Sequence, residues 1–396
     1  MTSFFQKEPG YSVISRLEKA GYEAVFVGGA VRDYILGKTA KDIDIATSAE
    51  PDNIKMVFRH TVDVGIAHGT VLVLFNGEPV EVTTYRTEGT YTDHRRPDAV
   101  EFVKSLKEDL LRRDFTMNAL AMTKDGDLID PFDGRLDLQK ELIRAVGNPL
   151  ERFKEDALRM LRAIRFSSVL NFTIEEETLV AIRKSAEQIS HISTERLKME
   201  MDKLFTGINP LKAFRYMENT ELNLYLPLYP SKIHFLSDPI LFKSAIEGWA
   251  YFMIAGSFTP SETVKAYKLS KDERTFISSV KKAYDRRNIG LFEIDDYYKF
   301  KLDVLLTTER LYSLFNKNHP ILSASEIEKN KNSLQIHSIA DLSIDGKDLL
   351  EWTGLSGGRW LGEWIAKIES AVLHGECENE ETTIKDWFFY EFNSKR

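Results

Sequence analysis

The run DIDIA sets Asp42 and Asp44 one residue apart among β-formers, so a strand aims both carboxylates at one face and Ile43 and Ile45 at the other. Carboxylates held that close repel each other unless a cation sits between them. Ligation by oxygen alone suits Mg²⁺, which takes one or two protein carboxylates and completes its shell with water and substrate phosphates. A solvated strand edge is the alternative for an isolated pair of this kind. Just upstream, VFVGGAVRD reads as a strand entering a Gly28-Gly29 turn and then a short helix, where glycine lets a phosphate approach backbone N–H groups. No G-x-x-x-x-G-K-[ST] follows, so this is not a P-loop. Turn and carboxylates together favour a site for a cation and a phosphate.

The elements that must position this pair lie before about residue 130. YEAVFVGG, IDIATS, TVLVLF, PVEVTTY and AVEFV are short β-branched or aromatic runs between Gly, Pro or Asp turns, with helical stretches at 30–36 and around 111–122. After DPFDG (130–134) strand-like runs nearly vanish and helical periodicity continues to the C-terminus. The fold class is therefore α+β, a head of β-sheet with helices followed by an all-α remainder. DPFDG is the natural hinge, with weaker breaks at TGINP (206–210) and 316–320.

At 396 residues and 43% hydrophobic content the chain can bury a sizeable core, which excludes a disordered protein. A net charge of −8 argues against a partner held by a uniform basic field, although local basic stretches can still hold phosphates. Cys377, the only cysteine, cannot form an internal disulfide, and MTSFFQKEPGYSVIS lacks a secretory pattern, so a cytoplasmic protein is expected. GWAYFMIAGSF, the longest apolar run, is too short to span a bilayer and suits a buried helix; no membrane partner is expected. The eight histidines offer no H-E-x-x-H and no His-Asp doublet, and His68 reads as a structural strand-end residue.

GGAVRD…DIDIAT resembles the nucleotidyltransferase signature of the DNA polymerase β superfamily, in the wording of its tRNA nucleotidyltransferase and poly(A) polymerase branch. RRDFTMNAL (112–120), DPFDG (130–134), EDALRMLRAIRF (155–166) and ERLKME (195–200) resemble, in order, the remaining motifs of class II CCA-adding enzymes. The resemblance runs from Gly28 to Glu200. It implies a seahorse-like arrangement of head (1–138), neck (139–207), helical body (208–314) and tail (315–396). It further implies addition of C, C and A to tRNA 3′ ends from CTP and ATP without a template, with Mg²⁺ as cofactor. A-adding or CC-adding alone, or poly(A) polymerase, are the alternatives, and a homodimer is left open.

The resemblance makes Asp42 and Asp44 the ligands of a two-metal site and offers Glu81, in PVEVTTYR, as a third carboxylate, an ordinary strand residue being the alternative. Gly29 and Arg32 would meet a phosphate, an exposed helix face being the other reading of Arg32. RRDFTMNAL sets Arg113, Asp114 and Asn118 within about one helical turn, where the carboxylate and amide can both bond a ribose 2′-hydroxyl. The family gives this segment ribose recognition.

EDALRMLRAIRF reads as one helix. Glu155, Arg159 and Arg162 share a face, Asp156 lies beside Arg159, and Leu158, Leu161 and Ile164 form a buried stripe. A carboxylate accepts from an exocyclic amine while a guanidinium donates to ring nitrogen or carbonyl, so Asp156 and Arg159 can imitate a Watson–Crick edge for C and A and oppose the carbonyl of U and G. Arg162 and Arg165 join this nucleotide-binding set, and a helix laced with surface salt bridges is the alternative. ERLKME, capped by Ser193 or Thr194, would brace that helix through Arg196 and Glu200.

RTEGTYTDHRRPDAVEFV (86–103) reads as a mobile loop with a basic triplet, His94, Arg95 and Arg96; the family links this loop to the switch from CTP to ATP. DLSIDGKDLLEWTGLSGGRWLGEW resembles the tail segment that holds the tRNA elbow, with SGGRW where a proline-glycine pair is expected. Scattered Lys and Arg would hold the acceptor stem and elbow by phosphate contacts and shape.

Overall fold

A computed structural model describes residues 9–39, 42–65, 69–88, 100–231, 233, 241–316 and 318–394. The basic triplet of the 86–103 loop and His68 lie outside these residues. The chain forms two compact units, Met1–Gly248 with Lys265–Lys268, and Trp249–Val264 with Leu269–Arg396.

In the first unit α1 (Gly10–Lys19) leads into β1 (Ala24–Val27), which turns at Gly28 into α2 (Gly29–Ile35). β2 (Asp44–Thr47), α3 (Pro51–Val57), β3 (Thr61–Gly65), β4 (Thr70–Phe75) and β5 (Glu78–Thr84) follow. Then come β6 (Arg86–Glu88), β7 (Val100–Phe102), α4 (Leu106–Leu111), a 3₁₀ turn (Thr116–Asn118), β8 (Ala121–Met122) and β9 (Leu128–Ile129). Among the described residues seven strands form one sheet in the order β3-β4-β5-β2-β1-β8-β9. β2 runs parallel to β5 and antiparallel to β1, so the register sets Asp44 directly beside Glu81. Val25, Val27 and Ala46 of the sheet bury with Tyr85, Leu110, Ala119 and Val146, which fastens the end of α4 and the 3₁₀ turn to the site's own strands.

Two expected elements differ before residue 130. DIDIA enters the sheet only at Asp44, leaving Asp42 exposed just ahead of the strand. The helix expected around 111–122 is instead the end of α4, a stretch of extended backbone and a 3₁₀ turn. The cause is Phe115, extended (φ −130°, ψ 149°) and fully buried, with Thr116 N–H donating to the Arg144 carbonyl and Val146 N–H to that of Asp114.

The rest of this unit is mainly helical: α5 (Gly134–Gln139), β10 (Leu142–Ile143), α6 (Pro149–Glu155), α7 (Leu158–Leu170), β11 (Thr173–Ile174), α8 (Glu176–Ser185), α9 (Thr194–Phe205) and α10 (Pro210–Asn219). EDALRMLRAIRF is not one helix. Asp156 (φ −140°, ψ 104°) breaks it, and its Oδ1 accepts the Leu158 N–H at 3.1 Å, so an acidic residue closes α6 and caps α7. Leu158, Leu161 and Ile164 are buried as expected, and α7 packs against α9 and α10.

The second unit is helical, built on parts of α11 (Ala245–Ala255) and α12 (Pro260–Tyr267) with α13 (Lys271–Arg287), α14 (Ile294–Lys299), α15 (Leu302–Phe315), α16 (Ala324–Asn332), α17 (Gly346–Thr353), α18 (Arg359–Leu373) and α19 (Glu381–Ser394). Trp249, Tyr251, Phe252 and Met253 are fully buried, as a core helix requires. SGGRW opens α18, whose Trp364 meets Phe388 of α19 edge-on at 5.1 Å. Among the described residues no helix is long and apolar enough to cross a membrane.

Candidate active site

A cavity of about 500 Å³ in the first unit collects most of the residues singled out above. Its floor is the junction of β1, α2, β2 and β5, where Gly28, Gly29, Asp44 and Glu81 line it. Burial pushes the Asp44 carboxyl up from its ordinary value, Arg113 opposes the rise, and Asp42 adds to it. Glu81 is pushed up by burial and then by the charges of Asp44 and Asp42. The three carboxylates therefore feel one another, although Asp42 does not line the cavity. Among the described residues no three His, Cys, Asp or Glu side chains gather closely enough to hold a metal ion by themselves.

Gly28 shows why this turn needs glycine. Its backbone (φ +68°, ψ −133°) lies where L side chains rarely go, and a Cβ there would sit 2.9 Å from Arg113 Nη1 and 4.0 Å from Asp44 Oδ2. Gly29 is helical, and a Cβ on it would meet Arg32 Nη2 at an ordinary 3.6 Å.

Above the turn a chain of hydrogen bonds crosses from α2 to α7. Arg32 donates to Asp33 and, at 2.7 Å, to Asn118 Oδ1; Asn118 Nδ2 donates to Asp114 Oδ1 at 3.0 Å. Asp114 Oδ1 also accepts its neighbour's N–H, and Oδ2 takes both Nε and Nη2 of Arg162 at 2.9 and 2.6 Å. Burial works against the Asp114 charge, yet the Arg162 guanidinium and the Asn118 bond hold its carboxyl well below the usual range. Asn118 and Asp114 therefore stay adjacent, although no α-helix joins them.

The base-reading candidates are also tied down. Asp156 accepts from both ends of the Arg196 guanidinium, at 3.2 and 2.7 Å. Arg159 donates to Glu155 at 2.5 Å and to the Arg112 carbonyl at 2.9 Å. Asp156, Arg159, Arg162 and Arg196 all line the cavity. Arg165 does not: it lies 3.7 Å from the Phe166 ring centroid and pairs with Glu200 at 2.6 Å, so it braces the wall from behind. Arg32 at 5.3 Å and Arg162 at 5.9 Å lie near the same Phe166 ring, so one aromatic side chain meets three guanidiniums.

Comparison with known proteins bears on all of this. Residues 24–144 match the family described as "Poly A polymerase head domain", 171–231 "Probable RNA and SrmB- binding site of polymerase A", and 240–388 "tRNA nucleotidyltransferase domain 2 putative". The CCA-adding enzyme of Bacillus cytotoxicus is 41% identical over 95% of this chain and 96% of its own. The chain belongs to the CCA-adding enzymes. The crystal structure of the Bacillus stearothermophilus CCA-adding enzyme in complex with CTP is 36% identical, with a TM-score of 0.85 over 100% of this chain and 99% of that one. The Thermotoga maritima CCA-adding enzyme, at 22% identity and a TM-score of 0.64 over 96% and 94%, shares the fold.

For a CCA-adding enzyme the cavity wall holds more than the motifs foretold. Arg86, Arg112 and Phe166 line it without having been singled out, and Arg196 lines it where only a bracing role was expected. Arg112 and Phe166 lie inside recognised motifs, so membership was visible but not orientation. Arg86 opens β6, two residues past the end of the β5 strand that carries Glu81, and the pairing of β2 with β5 brings that stretch to the site.

Proposed function

We propose that this chain adds C, C and A to the 3′ end of tRNA from CTP and ATP, without a nucleic-acid template. The observation that carries the reading is a single cavity holding three sets of groups: carboxylates beside a glycine turn, a linked Asp114–Asn118 pair, and Asp156 with Arg159. In the reaction the tRNA 3′-hydroxyl gives up its proton to solvent as its oxygen bonds to the α-phosphorus of the nucleotide, the bond from that phosphorus to the α–β bridging oxygen breaks, and pyrophosphate leaves.

Asp44 and Glu81 lie side by side in the sheet with raised pKa values, and Asp42 adds negative charge there, a hard-oxygen donor set that fits Mg²⁺. Asp44 and Glu81, with Asp42 beside them, would hold Mg²⁺, which would neutralise triphosphate charge and acidify the attacking hydroxyl. Arg113, over Gly28 and near Asp44, is set to hold the triphosphate. Asp114 and Asn118 present acceptors and donors suited to a ribose hydroxyl; Asp156 accepts the exocyclic amine and Arg159 donates to the ring edge. We assign these roles to the head (1–138) and neck (139–207), and tRNA binding to the helical tail (315–396).

The test uses tRNAs ending before CCA, after CC and after CCA, each incubated with one nucleotide at a time. Wild-type protein should extend the first with CTP, the second with ATP and the third with neither. Extension by ATP only, by CTP only, or without limit would identify A-adding, CC-adding or poly(A) activity instead. Asp42→Ala and Asp44→Ala should abolish incorporation of both CMP and AMP with tRNA binding and folding retained; turnover in either would remove the metal assignment.

A further inference from the structure

Asp109, on α4, has no solvent exposure, and the proposed chemistry does not touch it. Its Oδ1 accepts from Arg112 Nε and Nη2 at 3.1 and 2.8 Å and from the Arg86 main-chain N–H at 3.4 Å, while Oδ2 accepts from Arg113 Nη2 at 3.1 Å. A carboxylate with no exposure carries a desolvation cost that an apolar side chain at the same point would avoid, so something other than packing must explain it. The partners supply the explanation. Arg113 Nη1, on the other limb of the guanidinium that Asp109 grips, reaches the space over Gly28 beside Asp44. The Arg112 carbonyl, next to the side chain that Asp109 grips, receives Arg159 Nη2 at 2.9 Å.

We infer that Asp109 is a positioning residue for nucleotidyl transfer: it holds the Arg113 guanidinium over Gly28, where the triphosphate lies beside Asp44. Without that grip the Arg113 side chain gains rotamers that carry its charge away from the turn. This inference rests on the functional reading above. Being buried, Asp109 acts only through the arginines.

The experiment is a double-mutant cycle in kcat/KM for CMP incorporation into tRNA lacking CCA, with Asp109→Asn, Arg113→Gln and the double variant. Each single variant should lose about 10²-fold, the effect of a misplaced reacting group, and the double should be no worse than the poorer single. The loss should fall on the nucleotide steps, with the KM for tRNA unchanged. Losses that multiply in the double variant would make Asp109 a brace of the fold and overturn the inference, as would an Asp109→Asn protein of wild-type activity. Circular dichroism verifies folding; if Asp109→Asn does not fold, Asp109→Glu, which keeps the charge and displaces it by one methylene, enters the same cycle under the same criteria. Wild-type incorporation of CMP and AMP in the same assay tests the functional reading independently of the cycle.

Discussion

Arg196 of α9 holds the Asp156 carboxylate with both ends of its guanidinium, at 3.2 and 2.7 Å, across the cavity wall. A bidentate pair fixes the direction in which a carboxylate presents its remaining acceptor capacity, and a single ammonium does not. Asp156 can reject the carbonyl of U and G only while it points at the place where that carbonyl would sit. Arg196→Lys should therefore leave CMP addition active and admit UMP and GMP, with discrimination falling by about 1–3 kcal/mol. The measurement is kcat/KM for all four nucleotides; unchanged ratios would mean that Arg196 merely packs.

The two glycines of the turn should respond differently. Ala at Gly28 must adopt φ +68° and meets Arg113 Nη1 at 2.9 Å, whereas Ala at Gly29 is helical with its nearest contact at 3.6 Å. Gly28→Ala should cost about 1–3 kcal/mol of stability and most of the activity, because relieving the contact moves Arg113. Gly29→Ala should be close to wild type in both. Thermal unfolding and CMP incorporation measure the pair, and equal loss at both positions would show that backbone geometry is not what the turn demands.

Asp114 carries a pH signature. Its folded pKa is depressed, so its contribution to stability is present above the unfolded carboxylate value, about 3.9, and is lost as pH falls through that value toward the folded one. Asp114→Asn removes the nearer, doubly bonded charge from Arg162, leaving it Glu200 at 3.7 Å, and should cost about 3 kcal/mol at pH 7. The gap between wild type and variant in urea unfolding should narrow below about pH 4. A gap independent of pH would mean that packing, not charge, holds Asp114.

What could be read beforehand follows from how far apart the interacting residues lie. The glycine turn and the aspartates are local signals, and β-branched Ile43 and Ile45 announce the strand at Asp44. Asp42 falls outside that strand, which periodicity alone cannot tell. Glu81 beside Asp44 depends on a parallel pairing between distant strands, and Arg196 on Asp156 spans 40 residues. The break at Asp156 involves neither Gly nor Pro, and only the side-chain cap on Leu158 reveals it. In 112–120 the helix formers Arg112, Arg113, Met117, Ala119 and Leu120 suggest a helix that the weak formers Asp114 and Thr116 and the burial of Phe115 override.

Arg159 offers the sharpest separation of base reading from chemistry. It donates to Glu155 and to the Arg112 carbonyl while lining the cavity. A donor to the ring edge serves cytosine and adenine alike, so Arg159→Ala should weaken CTP and ATP use by similar factors. Asp42 and Asp44 would still support slow turnover. Asp156→Ala should act differently: it removes the opposition to U and G and so changes the ratios among nucleotides by about 1–3 kcal/mol. The comparison requires kcat/KM for four nucleotides in three proteins. If both variants merely slow every nucleotide by one common factor, Asp156 and Arg159 hold the α6–α7 junction together and base choice resides in other residues of the cavity.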